Sequence, residues 1–207
     1  EKKPSVVMIC ITCVDALLGT DMERVCRKAE EYAKIPVKPC YMYALTREGR
    51  KPPMVHVRQS IYSLLEPKKK KGNVVNLLGY FSPIIDDCEL YDLLHGAGVK
   101  TIHEISRCKD YEEYQTMAEA NFNLVLHPEA RFAAEDFHDR LKIPYIELRR
   151  LYQIDKIGSQ YRAFGAALGI EFDDEKPRKE AEDAVAKFKE AHPDLSLIHI
   201  SEPTRHA

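Results

Sequence analysis

Short apolar runs alternate with amphipathic segments along most of the chain, and this alternation limits the possible folds more than any other feature. The run VVMICI at residues 6–11 is apolar throughout, and similar short runs follow at 73–80, 99–105, 121–127 and 144–148. A continuous apolar run of this length is typical of a strand that is covered on both faces. Because such strands alternate with helical segments, the sequence predicts an α/β fold with doubly wound parallel sheets.

The segments between the apolar runs carry helical periodicity, with apolar residues three and four positions apart. Helices are predicted over residues 21–34, 52–66, 129–141 and 154–168. In the second of these, the residues predicted to face the core are Val57, Ile61, Leu64 and Leu65. A further strand is predicted at 37–45, and Ser82 followed by Pro83 predicts the start of another helix.

The run PKKKKG at residues 67–72 is interpreted as a solvated linker between two domains. A nucleic-acid site is the alternative, but no aromatic residues are interleaved and no wider basic patch surrounds the run. The linker separates residues 1–66, the C-terminal part of a first domain, from residues 73–172, which form a second domain. Residues 173–194 predict a charged amphipathic helix with Ala181, Val185 and Phe188 facing inward.

The last residues of the chain do not resemble a protein segment. LSLIHISEPTR at residues 195–205 matches the translation of DNA that resembles a transposase-type sequencing adapter. We therefore interpret residues 195–207 as adapter read-through and expect the raw DNA reads to match the adapter base for base. The chain also lacks an initiator Met, and residue 6 already lies in a predicted strand, so we interpret the chain as a gene fragment.

The composition argues against a membrane protein, a nucleic-acid-binding protein and a secreted disulfide scaffold. The formal net charge is -2, and no apolar run approaches the roughly 20 residues that cross a bilayer. Six cysteines in 207 residues show no dense short spacing. These observations predict a cytoplasmic protein whose cysteines are either packed or bound to metal.

Cys10 and Cys13 are three residues apart, and a CxxC spacing raises the question of a shared metal or redox pair. Side chains alternate across a strand, so two residues three apart point to opposite faces if the strand continues through them. We therefore predict that Cys10 lies in the core. Cys13 is predicted at the strand's end, where open α/β sheets bind ligands, with a packed strand-tip thiol as the alternative.

Other predicted strand ends carry side chains that could bind an anionic ligand, including one that contains metal. They are Tyr80–Phe81, His127 and the pair Arg149–Arg150. Each has a purely structural alternative. His127, which precedes Pro128, could simply start a helix, and the two arginines could form surface ion pairs with Glu147 or Asp155.

Three stretches together resemble the nitrogenase component 1 family: CITCVDALLGTD, GNVVNLLGYFSP and NFNLVLHPEARFAAEDFHDRLKIPYIEL. This family includes the molybdenum–iron protein subunits, their cofactor-assembly scaffold homologues and the dark-operative protochlorophyllide reductase subunits. The resemblance covers residues 5–172. This segment resembles the end of the family's first domain plus most of its second domain. It implies Rossmann-like domains around a metal-cluster crevice.

The resemblance also implies site residues and partners. Cys13, Leu18, Gly19 and Asp21 match the family motif C-x-x-x-(I/L)-G-D-D, with Thr20 at one Asp position, so Cys13 is implied as a ligand of an iron–sulfur cluster of the 4Fe–4S or P-cluster-like type. His127 stands at or near the place of the cofactor-holding cysteine of nitrogenase alpha subunits and is a second candidate metal ligand. Arg149 and Arg150 are candidate cofactor-binding residues. No catalytic residue is assigned.

Three function classes remain open at this point. The first is a subunit of a nitrogenase-like oxidoreductase that pairs with a homologous subunit and receives electrons from an ATP-dependent iron–sulfur reductase. The second is a scaffold that holds a maturing metallocofactor without turnover. The third is a metal-free α/β protein that binds a small molecule. The absence of a cysteine at position 127 argues against classical dinitrogen reduction.

Overall fold

The computed structural model describes residues 3–42 and 51–193. The chain divides into two compact units, residues 1–149 and residues 150–207. The predicted boundary at 67–72 therefore lies inside the first unit. Residues 43–45 of one predicted strand and the suspected adapter segment 195–207 lie outside the described residues.

Eight helices and six strands occur among the described residues. In chain order they are β1 (Val7–Ile11), α1 (Cys13–Leu17), α2 (Met22–Ala33), β2 (Val37–Tyr41), α3 (Pro53–Tyr62), β3 (Lys71–Leu78), α4 (Glu89–Gly96), β4 (Thr101–Glu104), α5 (Tyr111–Gln115), β5 (Ala120–Val125), α6 (Arg131–Leu141), β6 (Tyr145–Glu147), α7 (Ile154–Leu168) and α8 (Glu175–Ala191). No helix in this part of the chain is long and apolar enough to cross a membrane.

Strands β1 and β2 form a two-stranded parallel sheet, with Val7 opposite Val37 and Cys10 opposite Cys40. A parallel pair needs a crossover connection, and α1 and α2 supply it here. The Asp21 carboxylate accepts a hydrogen bond from the Arg24 backbone N–H at 3.0 Å, which caps the start of α2. The crossover thus runs directly from β1 through the segment that contains Cys13.

The second sheet has four parallel strands in the order β4-β3-β5-β6. The predicted α/β fold with parallel sheets is therefore confirmed. In this order, the chain leaves β3 for β4 on one side and returns to place β5 on the other side. The strand order reverses between β3 and β5, and a crevice opens outside the carboxyl ends of strands at such a switch point.

The core of the first unit lies between α3, α6 and the second sheet. The rings of Tyr62 on α3 and Phe137 on α6 pack 5.3 Å apart, and Leu78 and Val125 of the central strands are fully buried beside them. Burial of each such side chain is worth about 1.5–3 kcal/mol. Of the residues predicted to face the core, Leu64 and Leu65 are buried but lie beyond the end of α3, whereas Val57 and Ile61 are half-buried. The helix itself buries Val55, Arg58 and Tyr62, so its predicted buried face was wrong in part.

Two sequence boundaries differ from the prediction. Lys71 and Gly72, assigned to the linker, are the first residues of β3. The helix predicted from Ser82 begins only at Glu89. The intervening segment is fixed by side chains at the end of β4 and in the 3₁₀ turn that follows it. The Glu104 carboxylate accepts a hydrogen bond from Ile84 N–H at 2.9 Å, and Arg107 donates to Ile84 O at 2.6 Å.

The second unit contains α7 and α8 within residues 150–193. Phe164 of α7 is buried against Phe172, with ring centroids 5.7 Å apart. The charged helix predicted at 173–194 is present as α8, but it buries no residue. Val185 and Phe188 are exposed, so the prediction that they face inward was wrong for the described residues. Ala181, the third residue predicted to face inward, is half-buried.

Candidate functional site

The carboxyl ends of β3 and β5 lie side by side at the switch point of the four-stranded sheet. Leu78 and Val125 are register partners, and Leu126 N–H donates to Leu78 O at 2.8 Å just beyond them. The next residues are Gly79 on one chain segment and His127 on the other. The structure thus brings the segment with Tyr80 and Phe81 next to the one with His127.

His127 occupies the position before a 3₁₀ turn, Pro128–Ala130. Its Nδ1 accepts a hydrogen bond from Glu129 N–H at 3.3 Å, and its ring meets that of Tyr80 edge-on with centroids 5.7 Å apart. The side chain is 37% exposed. A neutral imidazole that accepts at Nδ1 carries its proton on Nε2. A metal that binds Nε2 would require this proton to move to Nδ1, which would break the hydrogen bond from Glu129 N–H. The two predicted roles, cap and candidate ligand, are therefore alternatives for this side chain.

Arg58 of α3 is the buried cation beneath this edge. Its residue is only 6% exposed, and its Nε and Nη2 both donate to the carbonyl oxygen of Gly79, at 3.0 and 2.6 Å. Its Nη1 donates to Glu129 Oε2 at 2.8 Å. A planar guanidinium can hold two chain segments at once in this way, whereas an ammonium group cannot reproduce the fork. Arg58 therefore joins the turn after β3 to the turn after β5.

The guanidinium of Arg58 also lies over the ring of Phe81, 4.8 Å from its centroid. Such a cation–π contact, partly shielded from water, is worth about 1 kcal/mol. Sequence analysis missed Arg58. The signal that could have found it is its place between Val55 and Tyr62 at helical spacing, where an arginine stands on the buried face of the helix.

Gly79 is required by the close approach of the two segments. Its φ is +138°, and a Cβ atom added there would stand 2.7 Å from both Cβ and N of His127. L-residues rarely adopt such a φ, and no backbone atom can move away cheaply. The position of His127 therefore depends directly on the absence of a side chain at residue 79.

Cys13 lies in the first turn after β1, but not as the end of a continuous strand. Strand β1 ends at Ile11, and Cys13 is the first residue of α1. The Thr12 backbone N–H donates to the Asp15 carboxylate at 3.2 Å, which fixes the start of this short helix. The expectation that residues 11–12 continue the strand is confirmed for Ile11 but was wrong for Thr12, because this residue caps α1 and turns the chain.

The surroundings of Cys13 are exposed and apolar. Cys13 itself is half-buried, whereas Val14, Leu17 and Leu18 are 57%, 81% and 75% exposed. The prediction that Cys10 lies in the core was also wrong, because Cys10 is exposed while the next residue, Ile11, is buried. The face of β1 that carries Cys10 lies away from the side that Ile11 buries.

The remaining residues of the motif around Cys13 have local structural roles. Gly19 has a φ of +65°, which allows the chain to turn between α1 and α2. Asp21 then caps α2, as described above. Thr20, which stands where the motif has an Asp, lies between these two and donates its backbone N–H to Asp15 O at 3.1 Å.

Arg149 is the last residue of the first compact unit, and Arg150 is the first residue of the second. Arg149 is exposed and forms an ion pair with Glu147 at 3.2 Å, which was its structural alternative. Arg150 is also exposed. Cys13 follows a strand of the two-stranded sheet and His127 follows a strand of the four-stranded sheet. Binding of a common ligand by these four residues stays a prediction.

The described residues contain no group of three or more His, Cys, Asp or Glu side chains arranged to hold a metal ion. Cys13 offers one thiolate and His127 one imidazole nitrogen, both partly accessible. A cluster on Cys13 is chemically compatible with this thiol, provided that the other ligands come from residues beyond the described ones or from another chain.

Comparisons with known proteins agree on one family. The family model described as nitrogenase component 1 type oxidoreductase matches residues 1–200. The nitrogenase iron–molybdenum cofactor biosynthesis protein NifE of Nostoc sp. is 26% identical over 170 residues, covering 80% of this chain and 35% of NifE. NifE of Klebsiella pneumoniae is 24% identical over 201 residues, covering 91% of this chain and 43% of that protein. The chain thus spans less than half the length of these relatives.

Two solved structures share the fold. Nitrogenase Cp1 at pH 5 superposes with a TM-score of 0.58 and 22% identity, over 92% of this chain and 38% of that one. Nitrogenase Cp1 at pH 6.5 superposes with a TM-score of 0.61 and 17% identity, over 92% of this chain and 46% of that one. At these identities the likeness supports the α/β Rossmann-like fold alone.

Proposed function

The chain belongs to the nitrogenase component 1 type oxidoreductase family, and on that premise we propose that it is part of a subunit of a nitrogenase-like oxidoreductase. In this proposal, an ATP-dependent iron–sulfur reductase supplies electrons. The electrons travel through a bound cluster to a substrate in the crevice. The free cysteines of the described residues suit a reducing compartment, and we place the protein in the cytoplasm.

The single observation that carries the proposal is the position of Cys13. Cys13 is the first residue of α1, directly after the N-cap residue Thr12. It is half-buried and lies beside exposed apolar side chains. A strand end that turns into a helix is where open α/β sheets place ligand-binding residues. A thiolate there can serve as one ligand of a shared cluster without any movement of the sheet.

The exposed residues beside Cys13 support a partner subunit at this point. Val14, Leu17 and Leu18 form an apolar patch on α1 and its end, where they face no other described residue closely enough to be buried. Contiguous exposed apolar side chains of this kind mark interaction surfaces. We propose that a homologous subunit covers the patch and completes the ligand set around Cys13.

The chain's own residues would position the cluster and the second site. When bound, an iron–sulfur cluster supplies one-electron transfer at a potential set by burial and hydrogen bonding. Cys13 would hold it as one thiolate ligand, and the Thr12–Asp15 cap fixes the start of the helix on which Cys13 is the first residue. At the switch point, Arg58 and Gly79 fix His127, which we propose as a metal ligand or hydrogen-bond donor toward whatever occupies the crevice. Arg149 and Arg150 are proposed as cofactor-binding residues for an anionic group, without an assignment to this crevice.

The proposal is tested by electron transfer to the full-length protein. The protein is purified anaerobically and mixed with an ATP-dependent iron–sulfur reductase encoded next to its gene. ATP-dependent change in the electron paramagnetic resonance spectrum of the acceptor is expected, and Cys13→Ser is expected to abolish it. If the electron paramagnetic resonance spectrum of the wild-type protein does not change when ATP is added, the electron-transfer role is contradicted.

A cofactor-assembly scaffold is the second candidate, favoured by the names of the relatives, since both NifE proteins described above are cofactor biosynthesis proteins. A scaffold would hold a metallocofactor and release it to an acceptor protein. The two roles are separated by turnover. Reduction of a substrate by the purified protein with its reductase supports the first, whereas transfer of a bound cofactor to an acceptor without any reduction supports the second.

A further inference from the structure

Cys10 and Cys40 stand directly opposite each other in the two-stranded sheet. They are register partners of the parallel strands β1 and β2, and both are free thiols. Opposed residues of neighbouring parallel strands point to the same face of the sheet. Adjacent strands lie about 4.8 Å apart, which is inside the Cα–Cα range of about 4.4–6.8 Å that a disulfide spans. The backbone register therefore places the two cysteines at a Cα–Cα separation that a disulfide can span.

The two thiols differ in access to solvent. Cys10 is exposed, whereas Cys40 is 4% exposed. Burial raises the pKa of the Cys40 thiol, and its contact with Cys10 raises that pKa further. A buried thiol with a raised pKa reacts slowly with reagents in solution. Cys10 is therefore the thiol that meets an oxidant first, and Cys40 is placed to react with Cys10 afterwards.

The other cysteines of the described residues lack this arrangement. Cys26 is buried on α2, Cys88 precedes α4, and Cys108 follows β4 beyond a 3₁₀ turn. Among the paired strands, Cys10 and Cys40 alone face each other as cysteines. A reaction between two cysteines of the described chain is thus expected at this pair first.

We propose that Cys10 and Cys40 form a reversible redox site, at which a low-molecular-weight disulfide such as glutathione disulfide oxidises the two thiols to an intrachain disulfide. The site is distinct from Cys13 and stands independently of the function proposed above. It lies only three residues before Cys13, so the disulfide would tie the strand that leads into α1 covalently to β2.

The chemistry occurs in two exchange steps. The Cys10 thiolate attacks one sulfur of glutathione disulfide, a Cys10–glutathione bond forms, and the first glutathione leaves and takes up a proton. The Cys40 thiolate then attacks the Cys10 sulfur, the Cys10–Cys40 bond forms, and the second glutathione leaves and is protonated. Two cysteine thiols are oxidised and one glutathione disulfide is reduced to two glutathiones. Because Cys10 is exposed, an excess of reduced dithiol can reverse both steps.

The test uses the full-length protein, purified anaerobically in dithiothreitol and then transferred to buffer with glutathione disulfide. Samples are quenched with acid, unfolded, alkylated with N-ethylmaleimide and analysed by mass spectrometry after trypsin digestion. We expect a peptide pair joined between Cys10 and Cys40, lighter by two hydrogens than the sum of the reduced peptides. The alkylated fractions of Cys10 and Cys40 should fall together, by about tenfold or more relative to the reduced protein. Both fractions should recover when dithiothreitol is added back.

Fragment ions must assign the bond, because no arginine or lysine separates Cys10 from Cys13 and both fall on one tryptic peptide. Cys88→Ser is the matched control, since Cys88 is half-exposed with no cysteine opposite, and it should leave the link intact. Cys10→Ser should remove it. A stable glutathione adduct on Cys10 alone, or full alkylation of both thiols in the wild type, would each overturn the proposal without bearing on cluster binding. A link to Cys13 would overturn it as well, and would also count against Cys13 as a cluster ligand.

Discussion

Arg58 donates two hydrogen bonds to the carbonyl oxygen of Gly79, so a residue of α3 holds the turn that follows β3. The same guanidinium pairs with Glu129 beyond β5. The two turns at the switch point are therefore connected through one buried side chain. This connection places His127 where the sheet topology opens a crevice.

Replacement of Arg58 is expected to destabilise the first unit. Arg58→Met keeps the apolar stem but leaves the Gly79 carbonyl oxygen and the Glu129 carboxylate without their partner. We expect a loss of about 2 kcal/mol or more in the free energy of unfolding, measured by urea denaturation with circular dichroism. Arg131→Met is the control, because Arg131 on α6 is about half exposed and a surface ion pair such as Arg131–Glu135 is worth about 0.5 kcal/mol or less. Arg131 also interacts with Glu147 and Tyr145. Equal losses in both variants would contradict the role of Arg58.

Gly79→Ala is expected to displace His127. The added Cβ would overlap His127, and the φ of +138° strains any L-residue, so we expect at least about 2 kcal/mol of destabilisation. The His127 ring resonances in the nuclear magnetic resonance spectrum should shift as well. Gly72→Ala near the start of β3 places a Cβ with no atom within 4 Å and should change stability by about 1 kcal/mol or less. Unchanged His127 resonances in Gly79→Ala would argue against the close approach.

His103 is expected to make the first unit acid-sensitive. Desolvation on β4 lowers the pKa of His103 below 6.5, with Lys71 adding to the effect and Glu113 and Glu119 opposing it. The unfolded chain then binds more protons than the folded chain between the folded pKa and 6.5, so the free energy of unfolding falls as pH drops through 6.5.

His103→Asn should therefore lose less stability than the wild type between pH 7.5 and pH 5.5, as measured by urea denaturation at each pH. The substitution of exposed His138 on α6 by Gln serves as the control and should follow the wild type. If His103→Asn and the wild type lose stability equally over this pH range, the burial of a neutral His103 is not the cause of the acid sensitivity.

His127→Ala tests the proposed metal ligand separately from the fold. The His127 side chain accepts a single hydrogen bond, from Glu129 N–H, so its removal should cost about 1 kcal/mol of stability. If His127 binds a metal in the crevice, the full-length variant should contain less metal and show an altered electronic spectrum. Metal content and spectrum identical to those of the wild type would remove His127 from the site.

The parallel α/β architecture could be predicted because the strands lie in short apolar runs, and the central strands β3 and β5 are buried along most of their length. The order β4-β3-β5-β6 could not, since it depends on which strands pack together over long sequence distances. The TCVD stretch at 12–15 carries a capping signal for α1 that periodicity does not reveal, because the helix spans only five residues. The late start of α4 was hidden because distant residues Glu104 and Arg107 hold the segment before it.

The candidate site was predictable only in its parts. His127 and Tyr80 follow apolar runs, so their places at strand ends could be read from the sequence, and the structure brings their rings together. Arg58 was missed because a charged residue on an apolar helix face is invisible to a hydrophobic pattern. The exposure of Cys10 was missed because the pattern cannot tell which face of a strand a neighbouring element covers.

Iron and acid-labile sulfide content of the anaerobically purified full-length protein tests the central claim most directly, with Cys13→Ser compared with Cys88→Ser. Both substitutions replace a half-exposed thiol by a hydroxyl, so they perturb packing to a similar extent. We predict that Cys13→Ser loses most of its cluster iron and sulfide while Cys88→Ser keeps the wild-type content. Equal iron in all three proteins, or no iron in the wild type, would contradict the cluster and favour a metal-free α/β binding protein.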